Sequence, residues 1–301
     1  MKRIEITANE AEQRLDRFLL KYFNNTTRSN IYKLLRKKVF KINGVRTTKE
    51  DYFLKLDDVI EVFLSDESFD AMIKPEIVTI PDQIGLDIVY EDDELLVVNK
   101  PKGMLTHPDK DEYRNTLATI VQFYLKNLCT KTFKPAPVHR LDKNTSGLVI
   151  FAKTYDALKK YNALMRERSI KKFYQCVVEG EIAKQGEVKG YLIKDEVRNT
   201  VRIVPHDTDE AKFCHTLYRP IERFGNYTLV EVELLTGRSH QIRASMQLIG
   251  HSIVGDLKYG GRRYGDINNQ LLHSYKLILG DKTFEAGSTD IVAFIESIKK
   301  R

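Results

Sequence analysis

Apolar residues near the N-terminus recur at three- and four-residue spacing, which predicts a short amphipathic helix over residues 13–23. The polar run at 24–27 ends this helix, and Ser29 is the predicted N-cap of a second helix over residues 30–39. Apolar and polar residues alternate at 40–42, as in a strand, and the turn pair Asn43-Gly44 follows. Together with the residues beyond the turn, this pattern predicts a β-hairpin. The head of the chain therefore reads as a small module of helices and short strands.

From residue 87 onwards, the pattern of hydrophobic and polar residues differs from that of the N-terminal segment. Residues 87–101 predict two strands around an acidic turn, and residues 116–128 predict a helix. A polar segment at 138–146 then leads into the strongly apolar stretch 147–152, which predicts a buried strand. Strands and helices thus continue through a second, larger unit.

Length and composition agree with two folded units. The chain has 301 residues, of which 42% are hydrophobic and 30% charged, as in an ordinary globular protein. No apolar run is long enough for a membrane span, and the N-terminus lacks the apolar segment of a secretory signal. The three cysteines are scattered and far from metal-ligand spacing, which favours reduced thiols in the cytoplasm.

The net charge of +7 is unevenly distributed. Residues 1–63 hold 14 basic and 9 acidic side chains, residues 64–94 hold 1 basic and 10 acidic ones, and the rest carries +11. We interpret residues 1–63 as a first domain, 64–85 as an acidic linker and 86–301 as a second domain. Two cationic units joined by a solvated linker would be drawn to a polyanion.

Basic residues are concentrated in the second predicted helix and the hairpin after it. Between positions 28 and 49 the chain contains eight cations and no acid. The six that we expect to contact RNA are Arg28, Lys33, Arg36, Lys37, Lys38 and Lys41. A solvated helix face is the alternative interpretation.

The segment 138–147, VHRLDKNTSG, carries the candidate chemistry. Asp142 could be an ordinary turn residue bonded to nearby amides. It could equally be a reactive carboxylate, which requires an ordered site and a cation that keeps it ionised. Arg140 or a distant arginine could supply that charge.

Two segments of the sequence resemble known families. Residues 13–63 resemble the S4-type RNA-binding module through RLDRFL, SNIYKLLRKK, FKINGV and LKLDDVIEV, in that order. Residues 86–280 resemble the RluA family of pseudouridine synthases through VVNKPKG, HRLD with TSGL, KKFYQCVVEG and TGRSHQIR. The combination is similar to the RluC-like branch, which acts on large-subunit ribosomal RNA.

The resemblance implies an α+β fold. A small αβ module would precede a catalytic domain built on a largely antiparallel mixed β-sheet. Asp142 takes the position of the family's essential aspartate, Arg238 that of its ion-pair partner, and Tyr174 that of the active-site tyrosine.

The resemblance also implies how RNA is handled. Arg140 corresponds to the arginine that helps to expel the target base, and Leu148 and Ile242 correspond to apolar residues of the pocket. His139 is interpreted as a hydrogen-bonding residue that positions the neighbouring arginine. Extrusion of a base costs a few kcal/mol, and stacking on an aromatic ring offsets about 1–3 kcal/mol of this.

The implied reaction detaches uracil from the ribose at N1 and reattaches it at C5. This isomerisation needs neither a metal nor another cofactor. The expected partner is ribosomal RNA, with no membrane or DNA partner, and the expected enzyme is a monomer. Transfer RNA as substrate, a non-catalytic ribosome-assembly factor and a ribonuclease using His139 and His240 are the alternatives.

Overall fold

The computed structural model describes residues 1–74, 79–82 and 84–300. The N-terminal module is an antiparallel four-stranded sheet in the order β1-β4-β2-β3, with helices packed on it. Its elements are β1 (Lys2–Glu5), α1 (Leu15–Tyr22), α2 (Arg28–Arg36), β2 (Phe40–Ile42), β3 (Val45–Arg46), β4 (Val59–Val62) and α3 (Asp66–Ala71). The two predicted helices and the hairpin are confirmed.

The N-cap of α2 differs from the prediction. Thr27, not Ser29, has the extended backbone of a cap, and its hydroxyl accepts a hydrogen bond from the Asn30 amide. Ser29 lies inside the first turn. Both residue types are good caps, so the sequence did not decide between them.

Part of the expected linker is folded. Ser65 caps α3, and two acids in its first turn favour a helix start. Phe69 and Met72 are buried in the N-terminal core, and the Met72 carbonyl accepts from the Asn25 amide at 3.0 Å. Residues up to 74 therefore pack with the first module, whereas residues 75–78 and 83 of the predicted linker lie outside the described residues.

The second domain is built on one large sheet in the order β11-β10-β12-β13-β9-β14-β8-β6-β5, with β15 beside β14 and β7 beside β8. Its strands are β5 (Ile88–Glu91), β6 (Leu95–Lys100), β7 (Ala136–Pro137), β8 (Ser146–Ala152), β9 (Ile170–Glu179), β10 (Gly186–Asp195), β11 (Thr200–Val204), β12 (Lys212–Phe224), β13 (Tyr227–Leu234), β14 (Leu272–Leu279) and β15 (Lys282–Glu285). Its α-helices are α4 (Leu117–Tyr124), α5 (Tyr155–Arg166), α6 (Gln241–Leu248) and α7 (Thr289–Lys299), with short 3-10 turns at Lys126–Leu128 and Leu257–Tyr259. The expected α+β fold is confirmed. Within the described ranges, every helix is too short or too polar to traverse a bilayer.

The central strands are buried on both faces because helices cover the sheet on both sides. Val149 and Phe151 of β8 pack into one apolar cluster, and Leu148 and Ile150 into another. This two-sided burial explains why residues 147–152 are apolar without alternation.

A parallel seam joins two antiparallel parts of the sheet. Strands β14 and β8 pair in parallel, with Ser274 opposite Gly147. Gly147 has a φ of 115°, and a Cβ at this position would lie 2.3 Å from the Ser274 carbonyl oxygen. Only glycine allows the two strands to approach this closely.

The N-terminal module contacts the second domain through polar groups. The buried Glu10 carboxylate accepts hydrogen bonds from the hydroxyls of Thr130 and Thr132, both at 2.8 Å. Lys159 forms an ion pair of 2.6 Å with Glu12. The apolar clusters of the two domains share no residue in the described part of the chain. Cation–π contacts of Lys21 with the Tyr155 ring and of Lys131 with the Tyr22 ring add to the polar interactions at this joint.

Candidate active site

The loop between β7 and β8 holds Asp142 at the edge of a cleft. The Thr106 hydroxyl donates to the Leu141 carbonyl at 3.0 Å and accepts from the Leu141 amide at 3.1 Å. The Gly103 amide donates to the Lys143 carbonyl at 2.9 Å. The backbone on both sides of Asp142 is therefore fixed, while 26% of its side chain remains exposed to the cleft.

Lys100 supports the same loop from beneath. Its fully buried Nζ donates to the carbonyls of Pro101, Met104 and Lys143 at 2.9, 2.8 and 3.1 Å. Burial lowers the pKa of Lys100 to about 7, although the charge of Asp142 opposes that shift. This buried amine joins the VVNKPKG and HRLD segments, which lie about forty residues apart in the sequence.

Arg243 is the arginine next to Asp142. Its Nη1 lies 3.9 Å from Asp142 Oδ2. Its Nε and Nη2 donate to the two carboxylate oxygens of Asp256 at 2.7 and 2.6 Å. Because the side chains of Arg243 and Asp256 are 8% and 1% exposed, this bidentate pair fixes the guanidinium in one orientation.

The expected ion pair between Arg238 and Asp142 is not formed in the structure. Arg238 lines the same cleft, but its side chain is exposed and its Nε donates to the Phe213 carbonyl at 3.2 Å. The reason is local. Helix α6 begins at Gln241, so Arg243 lies in its first turn facing the interior, whereas Arg238 lies in the turn before it.

His240 is a second group beside the carboxylate. Its Nε2 lies 3.8 Å from Asp142 Oδ2, and its Nδ1 is 2.9 Å from the Tyr259 hydroxyl. Burial lowers the pKa of His240, against the opposing charge of Asp142. The Arg243 guanidinium lies 4.7 Å from the centre of the Tyr259 ring. Sequence reasoning assigned no role to Tyr259 or Asp256, although both follow the TGRSHQIR segment closely.

Tyr174 lies in the cleft as expected for a residue that meets the target base. It is 5% exposed and stands opposite Ser274 in the pairing of β9 and β14. Burial raises the pKa of Tyr174 well above its ordinary value, and the Asp142 charge adds to this. The phenol is therefore protonated at neutral pH.

Of the remaining residues that were predicted to line the cleft, three do so and one does not. Arg140, His139 and Ile242 line the cleft. The His139 Nε2 accepts a hydrogen bond from the Ile150 amide at 3.3 Å, so its ring also anchors strand β8. Leu148, expected in the pocket, does not line the cleft; it is fully buried in an apolar cluster with Ile150, which projects from the same face of β8. Leu141 and Leu272 supply apolar wall instead.

The cleft has a volume of about 530 Å³. Sites for small ligands typically measure about 300–1,000 Å³, so a nucleoside fits. In the described part of the chain, Asp142 is the only acid that lines it.

The basic surface of the first module lies on α2 and β2. Five of the six predicted RNA contacts are exposed, and Lys41 is half-buried with its Nζ 4.8 Å from the centre of the Phe63 ring. Within the described residues none of the six forms an ion pair with a carboxylate. Their charges are therefore available to an external polyanion.

Comparison with known proteins decides the family. Residues 94–248 match RNA pseudouridylate synthase, and residues 13–60 match the S4 domain. The chain belongs to the RNA pseudouridylate synthase family. Both resemblances noted in the sequence are thereby confirmed, and the chain is an RNA pseudouridine synthase of the RluA type with an S4 domain.

Several relatives of this synthase align over most of their length. It is 33% identical over 280 residues to the uncharacterized RNA pseudouridine synthase YlyB of Bacillus subtilis, covering 91% of this chain and 88% of the relative. It is 34% identical over 265 residues to ribosomal large subunit pseudouridine synthase C of Vibrio cholerae, covering 87% and 81%. Human RNA pseudouridylate synthase domain containing 4 shares the fold, with a TM-score of 0.60 at 21% identity over 70% of this chain and 92% of that one.

Proposed function

We propose that this synthase converts uridine to pseudouridine in large-subunit ribosomal RNA and that Asp142 is its essential carboxylate. The observation that carries the site assignment is the position of Asp142. It is the lone acid of the described cleft, it lies 3.9 Å from a buried arginine, and a buried tyrosine lines the same cleft.

Each neighbour has a distinct task in this proposal. Arg243, fixed by Asp256, places its guanidinium 3.9 Å from the Asp142 carboxylate and orients it, whether the carboxylate attacks the ribose or removes a proton from it. Tyr174 offers a ring face to the extruded uracil and a phenol proton near carbon five. Arg140, exposed at the rim, is suited to fill the gap that the flipped base leaves in the RNA stack.

The choice of large-subunit RNA is supported by the relatives. Synthases C of Vibrio cholerae and D of Haemophilus ducreyi both carry ribosomal large subunit in their names, and the chain covers 81% and 76% of them. The S4 domain adds a second cationic surface that would widen the contact with a long folded RNA. A cytoplasmic location and a monomeric state belong to the same proposal.

The test is tritium release from ribosomal RNA labelled at uridine C5. The wild type should release tritium and Asp142→Asn should not, while Asp111→Asn, which alters an exposed acid, should match the wild type. Release from transfer RNA alone would move the target to transfer RNA. Equal background release from wild type and Asp142→Asn, with RNA binding retained, would contradict the proposed role of Asp142.

Mapping the pseudouridines of ribosomal RNA from a deletion strain would identify the modified positions. Loss of one or more large-subunit pseudouridines is the expected result. An unchanged large-subunit pattern would refute the proposed target without touching the assignment of Asp142.

A further inference from the structure

The walls of the cleft hold more positive charge than Asp142 can balance. Five cationic side chains line it besides Arg243, namely Arg140, Arg166, Arg168, Lys172 and Arg238. In the described part of the chain, none of these five forms an ion pair with a carboxylate. The cleft can therefore bind an anion beyond those that the described part of the protein supplies.

Lys172 lies deepest of these five. Every second residue of a strand points to the same face. Lys172 therefore projects from β9 into the cleft together with Ile170 and Tyr174. Among the residues that the structure describes, its Nζ has one hydrogen-bonding contact, the Met165 sulfur at 3.8 Å. A Cβ at Gly237 would lie 3.1 Å from that Nζ, so the glycine leaves room around the ammonium group.

Such an ammonium group is costly to bury. Burial lowers the pKa of Lys172, and no charge among the described residues offsets the effect. A thioether is a weak acceptor and cannot replace the lost water. A ligand with negatively charged oxygens would supply the missing partner.

We propose that Lys172 binds a phosphodiester group of the RNA strand that carries the target uridine, with Arg166 and Arg168 binding the backbone beside it. Residues two apart on a strand are separated by about 6.6 Å. An anion at Lys172 would therefore lie about one nucleotide unit from a base stacked on Tyr174. Arg166 ends α5, and Arg168 takes a φ of 61° in the turn into β9, so both exposed arginines stand at the rim next to Lys172.

The inference rests on the proposed function only in that the strand contains a uridine, so its test uses binding and does not require turnover. The probe is a short uridine-rich RNA oligonucleotide, and its dissociation constant is measured over a range of salt concentrations. Lys172→Met should weaken binding on the order of tenfold and lower the slope of log K against log salt by about 0.7, the value for one phosphate contact on a single strand.

Two variants make the test specific. Lys171→Met removes the same charge from the neighbouring residue on the opposite face of β9 and should leave the slope unchanged. Lys172→Arg keeps the charge and should restore most of the slope, which a merely structural role would not do. Thermal unfolding of each variant shows that the fold is retained.

A second probe separates phosphate from base. The same oligonucleotide with neutral methylphosphonate linkages should bind the wild type and Lys172→Met equally. If Lys172→Met and Lys171→Met give the same salt slope, or if the neutral oligonucleotide still distinguishes wild type from Lys172→Met, the phosphate site is refuted. Failure of tritium release from ribosomal RNA would bear on the target and leave this result standing.

Discussion

Replacement of Asp256 by Asn should damage both the stability and the activity of the protein. Asp256 is almost fully buried and accepts two short hydrogen bonds from the Arg243 guanidinium. Removing one partner of a buried ion pair costs about 3–5 kcal/mol, because the other charge is left uncompensated. We expect the lower limit, about 3 kcal/mol, since Asn keeps one acceptor oxygen and Asp142 remains 3.9 Å from the arginine.

The effect on turnover follows from orientation. Arg243 lies next to Asp142 through Nη1, while its Nε and Nη2 donate to Asp256. Without the two hydrogen bonds to Asp256 the guanidinium can rotate. Misplacement of a reacting group by about 1 Å can lower a rate about 100-fold. We expect a fall of this order in kcat with a smaller change in KM.

The free energy of unfolding is measured by urea denaturation and turnover by tritium release. Asp266→Asn, an exposed acid downstream of the same segment, is the control and should match the wild type in both. The double variant Arg243→Met with Asp256→Leu should regain stability and remain inactive, because a buried ion pair can be replaced by apolar residues at little cost. Wild-type stability and turnover in Asp256→Asn would refute this account of the site.

Three further predictions concern other parts of the molecule. Arg243→Ala should abolish tritium release, whereas Arg238→Ala should mainly weaken RNA binding; the reverse ranking in single-turnover assays would restore Arg238 as the partner of Asp142. Burial lowers the pKa of His139 to about 3 from 6.5, so the unfolded chain takes up a proton first and stability should fall as the pH drops from about 6.5 towards 3. Urea denaturation should show a shallower fall in His139→Gln, and parallel curves would argue against a neutral buried imidazole. Glu10→Ala should release the N-terminal module from the catalytic domain and increase the radius of gyration measured by small-angle X-ray scattering; an unchanged radius would show that other contacts suffice.

The order of elements in the first module could be predicted because amphipathic spacing and the Asn43-Gly44 turn are strong local signals. Helix α3 escaped prediction since its six residues are too few to show a period. The loop around Asp142 was recognisable from its motif, but its support by Lys100 depends on a long-range contact that no local pattern encodes.

The structure places Arg238 and Leu148 differently from the geometry expected, and the reason in both cases is the phase of the helix or strand. Arg238 and Arg243 belong to one motif, and the arginine that faces Asp142 is decided by where α6 begins, after a residue in the left-handed region. Leu148 lies on a strand that is buried on both faces, where the sequence does not alternate and cannot tell one face from the other.

The parallel seam at Gly147 makes catalytic activity dependent on complete folding of the sheet. It pairs segments that lie 127 residues apart, as in the contact between Ser146 and His273, and such distant closure is slow to form. Asp142 precedes one side of the seam, and Tyr174 stands beside the other side opposite Ser274. A chain in which either half of the sheet had formed alone would hold a carboxylate or a tyrosine, but not both across one cleft. A newly made molecule would thus be unable to modify RNA before its fold is closed.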